Sequence, residues 1–184
     1  HRPWPPDNRA VVVLQAPMTA GAQKAEVFLK PGDWFVGDAG CRVRTVLGSC
    51  ISIVLWHPAA RAGAMSHCLL ARRGEGAPGE ADGRYCDEAL ALMLDGLGMA
   101  GVPLAGCQAK LFGGSNMFPG QVIAGVSEIG RSNGEAARAL LNERHIPVVA
   151  ESLFGVGHRM IVFDVDSGDV WSRQVDPNAG EPWA

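Results

Sequence analysis

Two side chains in this sequence have the types and surroundings for nucleophilic chemistry. Cys50 follows Gly48-Ser49 at the head of an apolar run, and His67 comes seventeen residues later, closing Gly63-Ala-Met-Ser-His67. A glycine at that point permits a tight bend at the edge of a buried strand, which presents a side chain and leaves neighbouring N–H groups unpaired. A thiol placed there combines exposure in a cleft with amide donors around Ser49 and Cys50 that can stabilise both a thiolate and an oxyanion. Such a nucleophile also needs an imidazole within hydrogen-bond reach to lower its pKa and carry protons. The connection from His57-Pro58 to Gly63 has a length that lets two neighbouring strands set Cys50 and His67 side by side. Spacing alone is a weak signal, because one Cys and one His on adjacent strands are more often core residues than a catalytic pair.

The other candidates read as structural. Cys41, Cys68, Cys86 and Cys107 complete an odd set of five with no C-x-x-C pair, which predicts reduced thiols in a reducing compartment. Zinc would need clustered ligands at short spacing, and the adjacent pair His67-Cys68 points to opposite faces of a strand, so no metal site is expected. His57, His145 and His158 stand near prolines or in turns and read as surface residues. Gly113-Gly114-Ser115-Asn116 lacks the Lys-Ser/Thr of a phosphate loop and is assigned to close backbone packing or to the rim of the site.

The elements that must position the pair follow from periodicity. Glu26–Lys30 and Trp34–Val36 read as extended pieces around the turn Pro31-Gly32-Asp33, residues 42–47 alternate, and Ile51–Trp56 is a buried strand. Ala64–Leu70 is the next strand, with Met65, His67 and Leu69 on one face. Residues 72–84, rich in glycine and charge, predict a mobile surface loop. A helix follows from Cys86 through Leu90, Met93 and Leu97, stopped by Gly98 or Gly101. Gln108–Phe112 is a short strand, and Ser132-x-x-Glu135 has the form of a capping box opening a second helix that ends before Pro147. Residues 147–152, 159–165 and 170–175 are strands, the last two joined as a hairpin at Asp166-Ser167-Gly168-Asp169. About eight strands with two helices inserted late predict an α+β fold.

Composition bounds the function. The 184 residues are 47% hydrophobic and 19% charged, enough for one domain with a real core. With 16 Lys+Arg against 19 Asp+Glu there is no basic excess, so a nucleic-acid partner is not expected. No apolar stretch nears the roughly 18 to 20 residues that span a bilayer, and residues 1–24 lack the plan of a signal peptide. The sequence therefore predicts a soluble, cytoplasmic protein without direct membrane insertion. Residues 1–24 read as a poorly ordered lead-in, 25–175 as the domain and 176–184 as a tail.

Five motifs in order carry a family resemblance: Leu47-Gly-Ser-Cys-Ile51, Gly63-Ala-Met-Ser-His67, Tyr85-x-Asp87-x-Ala89, Ala109-Lys-Leu-Phe-Gly-Gly-Ser-Asn-Met-Phe118 and Ile129-Gly-x-x-Asn133. Together they resemble the CheD chemoreceptor glutamine deamidases over roughly residues 25–175. The resemblance implies a single-domain three-layer α/β/β sandwich similar to the catalytic domain of cytotoxic necrotising factor toxins. It further implies hydrolysis of receptor glutamine side chains to glutamate through a Cys thioester, without cofactor. The family's catalytic Cys and His fall on Cys50 and His67, and its threonine on Thr45, with Ser49 and Gly48 giving backbone support to the oxyanion. The implied partners are methyl-accepting chemotaxis receptors and a CheC-type phosphatase; the alternative is a non-catalytic module that binds either one. The chain departs from the family pattern at two places. Arg131 is shifted by one from the position before Asn133, and Phe154-Gly155 stands where a glycine pair is usual.

Overall fold

Two hydrophobic periods build the layers. Residues 41–47 alternate strictly, with Cys41, Val43, Thr45 and Leu47 buried and Arg42, Arg44 and Val46 turned outward, as a sheet covered on one face requires. Residues 51–55 are buried without a break, as a strand covered on both faces requires. The computed structural model describes residues 10–13, 23–76, 78–121, 125 and 128–175. Along the chain lie β1 (Ala10–Val13), β2 (Ala25–Phe28), β3 (Trp34–Asp38), β4 (Cys41–Leu47), β5 (Ile51–His57) and β6 (Ala62–Ser66). Then follow α1 (Cys86–Met99), β7 (Gln108–Gly113), α2 (Ile129–Glu143), β8 (Val148–Leu153), β9 (His158–Asp164) and β10 (Val170–Val175).

The strands form a six-stranded sheet in the order β1-β3-β6-β5-β7-β8 and a four-stranded sheet in the order β10-β9-β4-β2. Both helices pack on the six-stranded sheet, where Leu90, Met93 and Leu97 of α1 and Leu140 and Leu141 of α2 meet Ile51, Ile53 and Leu55. The opposite face of that sheet meets the smaller one through Phe35, Val54, Met65 and Phe112 against Val43, Leu47, Ile161 and Phe163. The α+β expectation therefore holds, with helices, large sheet and small sheet stacked in that order.

Several expectations are corrected. Residues 10–13, where the sequence reading placed no strand, form β1 in parallel register with β3, as the run Ala-Val-Val-Val favours. The rest of 1–24 up to residue 22, and the tail 176–184, lie outside the described residues. The expected capping box does not form. The second helix starts three residues before Ser132, at Ile129, with Glu128 as its N-terminal residue and no side-chain cap. Packing sets that start: a side chain at Gly130 would stand 2.6 Å from the Gly114 carbonyl, so the first turn lies directly on the 114–115 backbone. The loop 72–84 is exposed but tethered, because Arg73 bonds the Glu88 carboxylate at 2.7 Å and the carbonyls of Pro78 and Glu80.

Candidate active site

The turn between β4 and β5 is pinned by three consecutive carbonyls. Gly48 C=O accepts from the Ser115 amide at 2.9 Å, Ser49 C=O from the Asn133 carboxamide at 3.2 Å, and Cys50 C=O from the Gly114 amide at 2.9 Å. Gly113 and Gly114 have φ of +111° and +67°, a conformation that favours glycine, and a Cβ on Gly113 would strike the Cys50 carbonyl. The Gly-Gly-Ser segment thus serves the close backbone packing expected of it, against the backbone of Cys50. Met117 covers Gly48, with its sulfur 2.8 Å from where a Cβ would stand, and the exposed Phe118 ring is the next residue.

Register then brings His67 to the same face. Ile51 and Cys68 exchange both backbone hydrogen bonds at 2.9 Å, and Val54 stands opposite Met65. That register sets Ser52 opposite His67 and Cys50 diagonal to it. Since Val54 and Met65 point between the sheets while Ile51 and Cys68 point to the helices, alternation turns Cys50, Ser52 and His67 toward the inter-sheet layer. Diagonal neighbours of this kind stand roughly 7–8 Å apart at the backbone, within reach of a long side chain. The strand ends at Ser66, one residue short of His67, whose own backbone is held by the β2–β3 turn. There the His67 amide donates to Asp33 C=O at 2.9 Å and the Gly32 amide to His67 C=O at 2.8 Å.

Thr45 faces His67 from the other sheet. It is the one polar residue among the inward positions of β4, and it is 1% exposed. Its Oγ1 lies 2.8 Å from the Leu29 carbonyl and 2.7 Å from His67 Nδ1. A hydroxyl has one hydrogen and a carbonyl can only accept, so the arrangement that satisfies both contacts has Thr45 donating to Leu29 and His67 Nδ1–H donating to Thr45. The lone pair of Nε2 is then free to act as a base. Burial lowers the His67 pKa from 6.5 to about 4, against the opposing pull of the Leu29 carbonyl and Asp33. Burial raises the Cys50 thiol pKa, opposed by its own backbone N–H. At neutral pH the two groups therefore stand as thiol and neutral imidazole rather than as a preformed ion pair.

The structure brings Gly48, Ser49, Cys50, Thr45 and His67 into one neighbourhood and leaves His57 and His145 elsewhere. His57 Nδ1 accepts the Ala60 amide at 3.1 Å in a β-turn. A cleft of about 500 Å³ lined by Leu94, Cys107 and His145 opens at the Gln108 end of β7, whereas the thiol lies beside the Gly113 end. Five residues of strand, roughly 17 Å, separate the two. The expectation of reduced thiols is corrected for one pair: Cys68 and Cys86 form a disulfide, with Cα atoms 5.3 Å apart, while Cys41, Cys50 and Cys107 take no part in a disulfide. Their separation of 18 residues spans the looped-out 72–84 segment, so no short spacing signalled the pairing.

Two residues without an assigned role also shape the site. Asn133 is the side chain holding Ser49. Arg159, 2% exposed, donates from Nη1 to Gly113 C=O at 2.9 Å and from Nη2 to Phe154 C=O at 3.0 Å and Gln174 Oε1 at 3.2 Å. The signal for Arg159 was its parity, since it occupies an inward position of β9 in line with Ile161 and Phe163. The two departures from the family pattern meet in space, with the Arg131 guanidinium 5.3 Å from the centre of the Phe154 ring.

Residues 69–174 match the family model described as CheD chemotactic sensory transduction. A probable chemoreceptor glutamine deamidase CheD 2 of Albidiferax ferrireducens is 58% identical over 161 residues, covering 87% of this chain and 93% of its own. The chain belongs to the CheD family. A second relative, a probable chemoreceptor glutamine deamidase CheD 1 of Chromobacterium violaceum, is 43% identical over 148 residues, covering 80% of this chain and 77% of its own. Among solved structures, the hypothetical protein YfiH of Bacillus licheniformis aligns with a TM-score of 0.43 and 13% identity, covering 70% of this chain and 60% of that one. Among the described residues of this CheD-family chain, no helix is long and apolar enough to cross a membrane.

Proposed function

We propose that this CheD-family chain is a chemoreceptor glutamine deamidase, with Cys50 as nucleophile, His67 as general base and acid, and Thr45 as the group that orients the imidazole. The observation that carries the reading is the 2.7 Å contact from Thr45 Oγ1 to His67 Nδ1, which leaves Nε2 available on the face shared with Cys50. In the first step His67 Nε2 takes the thiol proton as sulfur attacks the glutamine δ-carbon, and the carbonyl π-electrons move to oxygen. Backbone N–H groups at Ser49 and Cys50 stabilise that oxyanion. The imidazolium then gives its proton to the departing nitrogen, releasing ammonia and leaving a thioester. Water, deprotonated by His67, attacks the thioester and returns the thiol. The sum is glutamine plus water giving glutamate plus ammonia, which balances without a metal or organic cofactor.

The substrate in this reading is the cytoplasmic helical region of a methyl-accepting chemotaxis receptor, so the reaction belongs to the cytoplasm. The relatives' names support the receptor, and the exposed Met117-Phe118 rim beside Gly48 offers an apolar shelf to a helix. A CheC-type phosphatase as regulatory partner, and kinship with the toxin catalytic domain, belong to the same proposal through the sequence resemblance. The test is intact-mass spectrometry of a receptor cytoplasmic fragment incubated with wild type, Cys50→Ala and His67→Ala. Each conversion adds about 1 Da by the acyl-enzyme route. A gain with wild type alone is expected; binding without a gain would move the chain to the alternative, a non-catalytic module.

A further inference from the structure

The helix layer and the nucleophile are joined by one side chain. Asn133 lies in the second turn of α2 and is 3% exposed, and its carboxamide nitrogen donates to Ser49 C=O at 3.2 Å and to Leu69 C=O at 2.8 Å. Both hydrogens of that nitrogen are thereby used. One acceptor belongs to the residue before Cys50 and the other to the second residue after His67. A single amide thus ties the nucleophile turn to the segment carrying the base.

We propose that Asn133 is a positioning residue which aims the Cys50 N–H at the oxyanion, an inference that rests on the deamidase reading. The Ser49–Cys50 peptide is trans, so its C=O and N–H point in opposite directions from one rigid plane. Holding the oxygen toward α2 turns the N–H away from the helix layer, to the side on which Cys50 and His67 face the inter-sheet space. The flanking carbonyls of Gly48 and Cys50 are held by the backbone amides of Ser115 and Gly114, whereas the peptide between them is held by a side chain. Its aim is therefore set by what stands at position 133. The contact of Gly130 with the 114–115 backbone fixes the helix that carries Asn133 against the same loop. The Cys50 N–H also favours the thiolate on its own residue, so the same misalignment would be felt by the sulfur before any substrate binds.

The test compares wild type with N133A, N133S and, as a control for mere loss of core packing in the same helix, L140A. Deamidation of a receptor fragment is followed by intact mass, and Cys50 reactivity by iodoacetamide alkylation across pH. For N133A the expectation is a kcat lower by about 10- to 100-fold with KM within about twofold, since the lost aim is felt in the transition state. Alkylation at pH 7 should slow by about 3- to 10-fold as the thiol titration moves upward. N133S keeps one donor in a smaller volume and should fall between, so it decides the matter if N133A does not fold. L140A should lower stability and leave the alkylation profile in place. A folded N133A or N133S with wild-type kcat and a wild-type alkylation profile would overturn the proposal. Should wild type itself fail to deamidate, the deamidase reading falls, while the alkylation profile still decides whether residue 133 sets the Cys50 amide.

Discussion

Two of the buried polar groups in the inter-sheet layer, Arg159 and His67, are treated in opposite ways. Arg159 has acceptors on both terminal nitrogens: the carbonyls of Gly113 and Phe154, the Gln174 side chain and, at 3.5 Å, Ser115 Oγ. Among the described residues none of those acceptors is a carboxylate. Among the described residues His67 has one side-chain hydrogen-bond partner, Thr45, and burial favours its neutral form. A guanidinium ringed by carbonyls cannot shed its proton, so it serves as a fixed cross-brace between β9, β7 and the residues after β8. An imidazole with one neutral partner gives and takes a proton with little reorganisation. The difference separates a charge fixed in place from a group able to exchange a proton, although both are almost fully sealed.

The largest effect should come from removing the proposed nucleophile. Cys50→Ala should reduce deamidation by on the order of 10⁴-fold or more, with thermal stability close to wild type because the side chain is half-buried. A variant that keeps a tenth of the activity would move the chemistry away from this turn. Arg159→Met sharpens the scaffold side. It leaves the carbonyls of Gly113 and Phe154 without their donor, and stability measured by urea unfolding should drop by about 2–4 kcal/mol. A loss below about 0.5 kcal/mol would mean that those carbonyls find other partners and that Arg159 braces nothing.

Thr45→Val keeps the shape and removes the hydroxyl, so the imidazole loses its orientation while the core keeps its volume. The expected result is a fall in kcat of about 10- to 100-fold with KM nearly unchanged. An unchanged kcat would leave Thr45 as a core polar residue only. The neutral state of His67 carries its own prediction. Because its pKa is about 4 in the folded chain against 6.5 unfolded, the unfolded state binds the proton more readily. Stability from this residue is complete above about pH 6.5 and is lost as the pH falls toward 4. Unfolding curves of wild type and His67→Gln over that range should converge as the pH drops. The acid limb of kcat/KM should likewise have its midpoint near 4; a midpoint near 6.5 would show a solvated imidazole.

These contrasts also divide what the sequence could reveal. Cys50 and His67 were legible because glycine before the thiol and a strand-length connection are local signals. The alternation of β4 was legible too, and the structure turns its Val43, Thr45 and Leu47 face inward. What the hydroxyl does there depends on two sheets facing each other, a relation that no spacing within one strand encodes. Thr45 therefore entered through the family resemblance. Asn133 was visible as a motif residue, but its two acceptors lie 84 and 64 positions away, beyond any periodic signal. Ser132 was misread for a related reason. Capping boxes are local, and here the helix start is dictated by Gly130 lying on a distant glycine loop.

The smallest expected effect tests whether a guanidinium matters by its contacts or by its burial. Arg138 on α2 donates from Nε to Glu151 Oε2 of β8 at 3.0 Å and stacks 5.2 Å from the centre of the Phe154 ring, so it is as well connected as Arg159. Its side chain is 42% exposed and that of its partner 40%, and water can replace both charged contacts. Exposed pairs of this kind contribute about 0.2–1 kcal/mol, against the several that an abandoned buried acceptor costs. Arg138→Lys keeps the charge and removes the fork and the flat stacking face. It should shift urea unfolding by less than about 1 kcal/mol and leave Cys50 alkylation unchanged. A loss as large as that expected for Arg159→Met would show that connectivity outweighs burial in this fold. It would also give the Phe154 ring, held between Arg131 and Arg138, a structural weight equal to the buried brace that holds its carbonyl.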